Sequence, residues 1–423
     1  MIPVAWEEIV ALELGTLEGS GAVTRITSDS RVSGPGDLFV ALNRGVEYVG
    51  EARRRGASTL VPADQEAALA ALARLVRSKS DARVVAVVGS AGKTTTKDIL
   101  GALCAPHVPT IWADRSLNNE IGLPLTVCRL EPETQVLVTE MGMRGLGQIA
   151  ALSAIAQPSV VVVPHLGPEH LELLGTVERV AQANAEAIAA LPSGGVAVVP
   201  AEARELEPHL EQREDVTVRR FHSREVETHD GVTRFAVGGE EVELALPFTQ
   251  RHLAVNTLAA LHAYVALGLP LDHVSEGVRG ISLSPWRGEE LPLPGGGFVV
   301  NDAYNANPDS MRAALEHLAT RAGKRRRKLA ILGEMAELGA TSERYHREIG
   351  DLAAGLGIEV VGVGEPARAY EPVAWAAGVD EALEVAAALI GPGDAVLVKA
   401  SRAVGLEGIA DEIANIARAW SRS

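Results

Sequence analysis

The feature that most constrains the fold is a series of short, uninterrupted apolar runs separated by helix-like segments. In the middle of the 423-residue chain these runs are "RVVAVVG" at 83–89, "TQVLVTEMG" at 134–142, "SVVVVPHLG" at 159–167 and "GVAVVP" at 195–200. Valine-rich runs of this length are typical of strands that are buried on both faces of a parallel sheet. We therefore predict a central α/β domain with a parallel sheet over residues 81–285.

Two further domains are predicted on either side of it. A second series of apolar runs, each followed by a helix-like segment, starts at "GFVVN" and continues through "RKLAILGEM", "GIEVVGVG" and "DAVLVKASR". It predicts a Rossmann-like α/β domain over residues 286–423. Residues 1–80 contain shorter strand-like pieces, such as "DLFVAL" at 37–42, and end in the helical pattern "DQEAALAALARLVRS". The predicted fold class is therefore α/β with three domains, the first of them small.

Composition narrows the class of protein. The net charge of −16 argues against nucleic acid as a partner. Cys104 and Cys128 are the only cysteines, which argues against a disulfide framework and fits a reducing compartment. No apolar run approaches the roughly 18 to 20 residues of a membrane span. We expect a cytoplasmic, monomeric protein that does not insert into membranes.

The stretch "AVVGSAGKTTTKDIL" at 86–100 predicts a phosphate-binding turn between a strand and a helix. Backbone N–H groups at the helix start, the helix dipole and Lys93 would attract phosphate, and Thr94 could bind Mg²⁺. The strict P-loop pattern has glycine where Val87 stands, so an ordinary P-loop is not the expectation. The alternative is a turn that uses its glycines for geometry alone.

Glu140 and His170 follow two different strands of the predicted central sheet. Ligands of open parallel sheets bind beyond the carboxyl ends of the strands, so both side chains are expected in the crevice that holds Lys93 and Thr94. A carboxylate there can bind Mg²⁺. The competing interpretations are a helix cap or salt bridge for Glu140 and an ordinary loop histidine for His170.

The motifs of the chain, taken in order, resemble the Mur ligases of peptidoglycan synthesis. They are "GSAGKTTTKDIL", "LNNEIGLP", "EMG", "HLGPEHLELLGTVE", "HLAVNTLAAL", "DAYNANPDSMRAAL", "LGEMAELG" and "LVKASR". The "DAYNANP" and "GEMAELG" stretches are similar to the members that add D-alanyl-D-alanine. "SDSRVSGPGDLFVAL" at 28–42 resembles the substrate-binding domain of the same ligases. In this family a glycine matching Gly89 precedes the final Gly-Lys-Thr, so Val87 is no objection.

The resemblance implies an ADP-forming amide ligase that uses ATP and Mg²⁺. Its implied substrates are UDP-N-acetylmuramoyl-tripeptide and D-alanyl-D-alanine, and the implied intermediate is an acyl phosphate. It matches Lys93, Glu140 and His170 to catalytic residues. It matches Thr94 and Glu140 to ligands of one Mg²⁺ and His170 to a ligand of a second Mg²⁺. The residues matched to ATP binding are Gly89, Ser90, Ala91, Gly92, Lys93, Thr94, Thr95, Asn256, Arg287 and Asp302.

Other matches are less direct. Ser30 and Arg31 match the UDP-substrate side, where an exposed ion pair is the alternative. Asn305 and Asn307 lie in the stretch expected at the dipeptide side, where stabilisation of the turn before Pro308 is the alternative. Lys399, Ser401 and Arg402 follow a late strand and are further candidates.

Asn184 is the largest departure from the family pattern. Most Mur ligases carry a carbamylated lysine there that helps to hold a second Mg²⁺, but this chain has no lysine between Lys97 and Lys324. We expect Asn184 to orient that metal or His170 without carbamylation; the alternative is an ordinary polar helix residue. The further departures are Ala91, His165, Gln250, Ala400 and the stretch Arg44-Gly45-Val46.

Two rival functions stay open at this point. One is a neighbouring amide ligase with a different amine, such as another Mur ligase or a folate polyglutamate synthetase. The other is a P-loop protein that uses ATP as a regulatory switch, which would release phosphate without needing carboxylate or amine.

Overall fold

The first part of the chain forms a small mixed sheet. The structure, a computed structural model, describes residues 1–324 and 326–420, so Arg325 and the last three residues of the predicted third domain lie outside it. The four strands stand in the order β1-β4-β3-β2. Their bounds are β1 Gly15–Glu18, β2 Arg25–Thr27, β3 Asp37–Val40 and β4 Ser58–Pro62, and the helices are α1 Trp6–Val10, α2 Val49–Arg54 and α3 Gln65–Arg77.

The central part is a six-stranded, fully parallel sheet in the order β10-β9-β8-β5-β7-β6. Its strands are β5 Arg83–Val87, β6 Thr110–Trp112, β7 Val136–Glu140, β8 Val160–Val162, β9 Val196–Pro200 and β10 Thr217–Phe221. Its helices are α4 Lys93–Cys104, α5 Gly122–Val127, α6 Gln148–Ala156, α7 Leu171–Leu174, α8 Val177–Ala189 and α9 Glu207–Leu210. Strands β5, β7 and β8 are neighbours, so the segments that follow them meet at one edge of the sheet.

A three-stranded antiparallel sheet follows, which the sequence analysis did not predict. Its strands are β11 Val226–His229, β12 Val232–Val237 and β13 Glu240–Leu244. Asp230 and Gly231 connect the first two with positive φ angles of 50° and 80°, as a tight hairpin turn requires. Two helices then lead to the third domain, α10 Arg251–Ala266 and α11 Ser275–Val278.

The last part is a six-stranded sheet in the order β14-β15-β19-β16-β17-β18, parallel except for the edge strand β14. Its strands are β14 Glu289–Pro292, β15 Phe298–Asn301, β16 Lys328–Leu332, β17 Glu359–Val363, β18 Ala374–Ala376 and β19 Ala395–Lys399. Its helices are α12 Pro308–Ala322, α13 Ser342–Gly355, α14 Val379–Leu389 and α15 Ile409–Trp420. The predicted apolar runs thus form strands of two parallel sheets, while the boundaries at 80/81 and 285/286 stay predictions.

Helix α3 joins the first sheet to the central one. Its side chains Leu69, Leu72 and Val76 are buried along one stripe and belong to the same apolar core as Leu123 and Val127 of α5. An amphipathic helix buries such a stripe because removing apolar area from water is favourable. In the part of the chain that the structure describes, no helix is both long and apolar enough to cross a membrane.

Helix α4, which starts at Lys93, is packed tightly beneath α11. A Cβ built on Gly277 would lie 2.5 Å from Cα of Leu103 and 2.7 Å from the carbonyl oxygen of Ala102. Both atoms belong to the backbone of α4, so they cannot move aside as a flexible side chain could. Glycine at 277 therefore sets how closely α11 approaches the helix of the phosphate turn.

We expect Gly277→Ala to lower the free energy of unfolding by about 1–3 kcal/mol, the usual cost of overpacking. Chemical denaturation followed by circular dichroism measures the change. Gly280→Ala is the matched control, because its Cβ would meet its nearest neighbour, the carbonyl oxygen of Gly277, at 3.4 Å. Equal losses in the two variants would contradict the packing argument.

Candidate active site

The turn between β5 and α4 has a backbone that only glycine accommodates at two positions. Gly89 has a φ of 113°, and a Cβ there would lie 2.6 Å from the carbonyl oxygen of His165. Gly92 has a φ of 77°, and a Cβ there would lie 2.4 Å from Oδ1 of Asn256. The predicted adenine contact, Asn256, therefore packs directly against the start of α4.

The segment after β8 is bonded to this turn. The Ser90 hydroxyl donates to the carbonyl oxygen of Gly167 at 2.9 Å and accepts from its N–H at 3.0 Å. The Ser90 N–H donates to the carbonyl oxygen of His165 at 2.9 Å. These bonds fix the segment that carries His170 relative to the phosphate turn. Ala91 is partly exposed in the turn, and Thr95 is buried in the first turn of α4.

Lys93 and His170 are brought together through one carboxylate. Glu169 Oε2 lies 3.5 Å from Lys93 Nζ and 3.8 Å from His170 Nε2. Glu169 is mostly buried, and Lys93 also donates to the carbonyl oxygen of Gly89. His170 has a φ of 50° and directly precedes α7. The structure therefore places His170 beside the phosphate turn, where the sequence analysis expected it.

Glu140 and Thr94 offer oxygen atoms on the other side of the turn. Glu140 is opposite Val87 in the neighbouring strand, and its Oε1 accepts from Asn118 at 2.7 Å. Its Oε2 is buried without a hydrogen-bond partner among the described residues. The Thr94 hydroxyl lies 3.2 Å from that of Ser116. A buried carboxylate oxygen without a partner is uncommon, because it carries a desolvation penalty. A bound cation would remove that penalty.

These donors suit Mg²⁺ rather than a metal enclosed by protein side chains. The described residues contain no group of three or more His, Cys, Asp or Glu side chains able to hold a metal. Mg²⁺ prefers oxygen ligands and commonly takes one or two carboxylates together with phosphate oxygens and waters. Glu140 Oε2 and the Thr94 hydroxyl fit that pattern.

The third domain reaches the phosphate turn through two side chains. Arg287 Nη2 donates to the Thr94 hydroxyl at 2.8 Å and lies 3.3 Å from the Ser116 hydroxyl. Its guanidinium group lies 4.0 Å above the ring of Tyr304. Asn307 Nδ2 donates to the carbonyl oxygen of Ser90 at 3.1 Å. Arg287 thus contacts the turn from the third domain, as expected of a nucleotide-binding residue.

Asn307 has a structural role as well, whereas Asn305 is exposed. Asn307 Oδ1 caps α12 by accepting the N–H of Ser310 at 2.8 Å. The carbonyl oxygen of Asn305 accepts from Lys399 Nζ at 2.9 Å. The contacts of Asn307 are those of a cap and a bond to the phosphate turn, and the dipeptide role of both residues stays a prediction.

Asp302 is held by a buried lysine. Lys399 Nζ donates to Asp302 Oδ2 at 2.6 Å, and the lysine is almost fully buried. Burial is also the main cause that lowers the pKa of the nearby His252 to about 4, with a smaller contribution from Lys399. The His252 ring is therefore neutral at pH 7. Ser401 is buried near Lys399, and Arg402 pairs with Glu407 at 2.8 Å.

Two residues that depart from the family pattern also contact the segment after residue 285. His165 Nε2 lies 2.9 Å from Asp309 Oδ2. Gln250 Nε2 donates to the carbonyl oxygen of Gly288 at 2.8 Å. Both add polar contacts between the central sheet domain and the third domain.

The predicted UDP-substrate residues lie in the first domain, and their hydrogen bonds stay within it. The Ser30 hydroxyl donates to Glu51 at 3.0 Å. Arg31 forms an exposed ion pair with Asp29 at 2.7 Å. Arg44 pairs with Glu47 at 3.0 Å. Arg31 thus has the contacts of the alternative interpretation, and the role of both residues in substrate binding stays a prediction.

Asn184 contacts the phosphate turn rather than His170. Its Oδ1 accepts the N–H of Gly89 at 2.6 Å, and its Nδ2 donates to the carbonyl oxygen of Val180 at 2.9 Å. The side chain is almost fully buried. The expectation that Asn184 orients His170 or a second metal gains no support from these bonds. The residue instead fixes the first glycine of the turn.

Four residues that complete the site had no role predicted from the sequence: Ser116, Asn118, Glu169 and Glu337. Asn118, Glu169 and Glu337 stand inside motifs that were recognised. Glu169 also directly precedes His170, which was a further readable signal, because a carboxylate next to a candidate histidine shares its turn.

Comparison with known families settles the class of the protein. The Mur ligase middle domain matches residues 87–264, and the Mur ligase glutamate ligase domain matches residues 287–402. The UDP-N-acetylmuramoyl-tripeptide–D-alanyl-D-alanine ligase of Escherichia coli (strain K12) is 31% identical over 424 residues, which cover 92% of each chain. The chain belongs to the Mur ligase family.

Solved structures of this Mur ligase branch share the fold. A crystal structure of MurF from Acinetobacter baumannii has a TM-score of 0.86 at 27% identity, covering 98% of this chain and 99% of its own. MurF from Thermotoga maritima in complex with ADP has a TM-score of 0.80 at 27% identity, covering 94% and 98%. The predicted Mur ligase resemblance and three-domain α/β class are confirmed.

We expect Asn184→Ala to weaken ADP binding, because the phosphate turn of this Mur ligase loses the bond that fixes Gly89. An unsatisfied buried donor costs about 1–3 kcal/mol, so the free turn should rearrange, and the dissociation constant measured by calorimetry should rise. Gln212→Ala is the control, since that amide bonds to Pro208 at an exposed position. Unchanged ADP affinity in Asn184→Ala would contradict this role.

Proposed function

We propose that this chain joins D-alanyl-D-alanine to UDP-N-acetylmuramoyl-tripeptide with the consumption of ATP. The named relatives catalyse this ligation. The observation that carries the proposal is the arrangement around the phosphate turn. Lys93 and the unpartnered Oε2 of Glu140 belong to the central domain, and Arg287 arrives from the third domain. Cations and a metal-binding oxygen on several sides of one turn suit phosphoryl transfer.

The proposed chemistry has two steps. The terminal carboxylate of the tripeptide attacks the γ-phosphorus of ATP, so that an acyl phosphate forms and ADP leaves. The amine of the dipeptide then attacks the acyl carbon, phosphate leaves, and the amine loses a proton as the amide forms. Lys93 and Arg287 would neutralise charge on the phosphates, while the bonds of Ser90 to Gly167 hold the turn in position.

We propose Mg²⁺ as the metal, with one ion held by Thr94 and Glu140 and a second ion held by His170. The ions would supply positive charge that neutralises the phosphate oxygens. Glu140 supports this assignment because its Oε2 is buried without a partner among the described residues. His170 supports it because it lies next to the Lys93 side of the turn.

The remaining assignments belong to the same proposal. Asn256 would contact the adenine, and Asp302 would bind the nucleotide from the third domain. Ser30 and Arg31 would bind the UDP portion, and Asn305 and Asn307 would lie at the dipeptide side. We propose that the enzyme acts as a cytoplasmic monomer.

Incubation with Mg-ATP, UDP-N-acetylmuramoyl-tripeptides and D-alanyl-D-alanine should give the pentapeptide product by mass spectrometry. Lys93→Ala should lower kcat by about 100-fold or more, since a cation at the transferred phosphate is removed. Lys79→Ala is the matched control, because that lysine pairs with Glu8 in the first domain. Phosphate release that needs neither carboxylate nor amine would instead indicate a P-loop switch.

Activity should persist in buffer stripped of CO₂ and bicarbonate. Asn184 stands where most of the family carries the carbamylated lysine, and the chain has no lysine between Lys97 and Lys324. Both the oxygen and the nitrogen of the Asn184 amide are bonded to backbone groups. The measurement is turnover before and after degassing under nitrogen at constant pH. A loss that added bicarbonate restores would refute the expectation.

A further inference from the structure

We infer that Glu337 is a positioning residue, delivered by the third domain, that fixes the ring of His170 for the proposed reaction. Glu337 lies in the loop 333–341 that connects β16 to α13, and its Oε2 contacts His170 Nδ1. The inference rests on the proposed function for its catalytic meaning, whereas the contact itself can be tested separately.

The contact determines which ring nitrogen faces the phosphate turn. An ionised carboxylate only accepts hydrogen bonds, so Nδ1 of His170 must carry the proton that Glu337 receives. Nε2 lies on the opposite side of the ring, 3.8 Å from Glu169 Oε2. The same oxygen is 3.5 Å from Lys93 Nζ. In the neutral ring, Glu337 therefore selects the tautomer with the proton on Nδ1 and the lone pair on Nε2, beside the phosphate turn.

The segment that carries His170 and the loop that carries Glu337 contact each other at several points, so the contact is not a chance approach of two side chains. Glu337 Oε1 is 3.3 Å from Arg144 Nε. The carbonyl oxygen of Glu337 accepts the N–H of Glu172 at 2.9 Å. A Cβ on Gly339 would lie 2.9 Å from Cα of Glu172, which shows how closely the loop approaches.

Both partners have backbone conformations that need support. The φ angle is 50° at His170 and 61° at Glu337, in the left-handed region that non-glycine residues rarely adopt. Such conformations persist where the surrounding structure holds them, and they cluster at functional sites. Here these conformations bring the side chains of His170 and Glu337 into contact.

The third domain holds the loop of Glu337 by its backbone. Three side chains and one backbone N–H of this domain make bonds to successive residues of the loop. They are Met335 N–H to His346 Nε2 at 3.0 Å, Ala336 N–H to Ser401 Oγ at 2.8 Å, Tyr370 hydroxyl to Gly333 oxygen at 2.8 Å, and Ser401 N–H to Glu334 oxygen at 2.9 Å. The loop therefore moves with its domain, and Glu337 reaches His170 when the third domain takes the position seen here.

The test compares Glu337→Ala, Glu337→Asp and Glu337→Gln with the wild type. Alanine removes the acceptor and aspartate is one methylene too short, so both should lower kcat for amide formation by about 10–100-fold, as for other residues that orient metal-ligating histidines. Glutamine keeps a carbonyl oxygen at the same length and should recover most of that loss. Glu343→Ala is the control, an exposed carboxylate in the next helix that pairs with Arg347.

A structural readout separates this role from mere folding. In ¹⁵N-histidine-labelled protein, with His170 assigned by the His170→Gln variant, the wild type and Glu337→Gln should show the Nδ1-protonated tautomer. Glu337→Ala should shift toward the Nε2-protonated form, while its ADP affinity and thermal midpoint stay near those of the wild type.

The outcomes distinguish the two proposals. Wild-type kcat in Glu337→Ala or Glu337→Asp, or an unchanged His170 spectrum in Glu337→Ala, would overturn the positioning role. So would a glutamine variant as impaired as the alanine variant. A wild type that makes no pentapeptide would refute the proposed function, and the His170 spectra would still decide the contact.

Discussion

The structure depends on one constraint, which is the conformation of the four-residue turn between β5 and α4. Backbone N–H groups at the start of a helix such as α4 attract anions, so the turn that leads into it must hold a fixed shape. Asn184 fixes the N–H of Gly89, and Gly167 fixes the Ser90 side chain. Asn307 holds the carbonyl oxygen of Ser90 from another domain. Three distant segments thus hold a turn of four residues in one conformation.

Helix α4 transmits this geometry beyond the turn. Lys97 is fully buried and donates to the carbonyl oxygen of Arg115 at 2.9 Å, which fixes the loop that carries Ser116. Asp98 pairs with Lys97 and accepts both the N–H and the hydroxyl of Ser284, at 2.9 and 2.8 Å. A buried charge requires such pairing, since an unpaired one is costly. The same helix therefore positions Thr94 and the linker that leads to Arg287.

The sequence could predict what short segments determine alone. Strands buried on both faces remain continuously apolar, so both parallel sheets were readable, and the phosphate turn is a local pattern. The hairpin strand Val232–Val237 alternates buried and exposed residues and could have been recognised. The partner of Gly89, however, is Asn184, which is 95 positions away, and the partner of His170 is Glu337 in another domain. Such pairings follow from tertiary packing and leave no local signal.

Three side chains from the third domain contact the phosphate turn or residues next to it. Arg287 reaches Thr94, Asn307 reaches Ser90, and Glu337 reaches His170 beyond Lys93. Because all three are carried by one folded unit, they form or break together as that unit moves. Separate residues on flexible loops would each have to be ordered at an entropic cost. The position of the third domain therefore determines together whether Arg287, Asn307 and Glu337 contact this site.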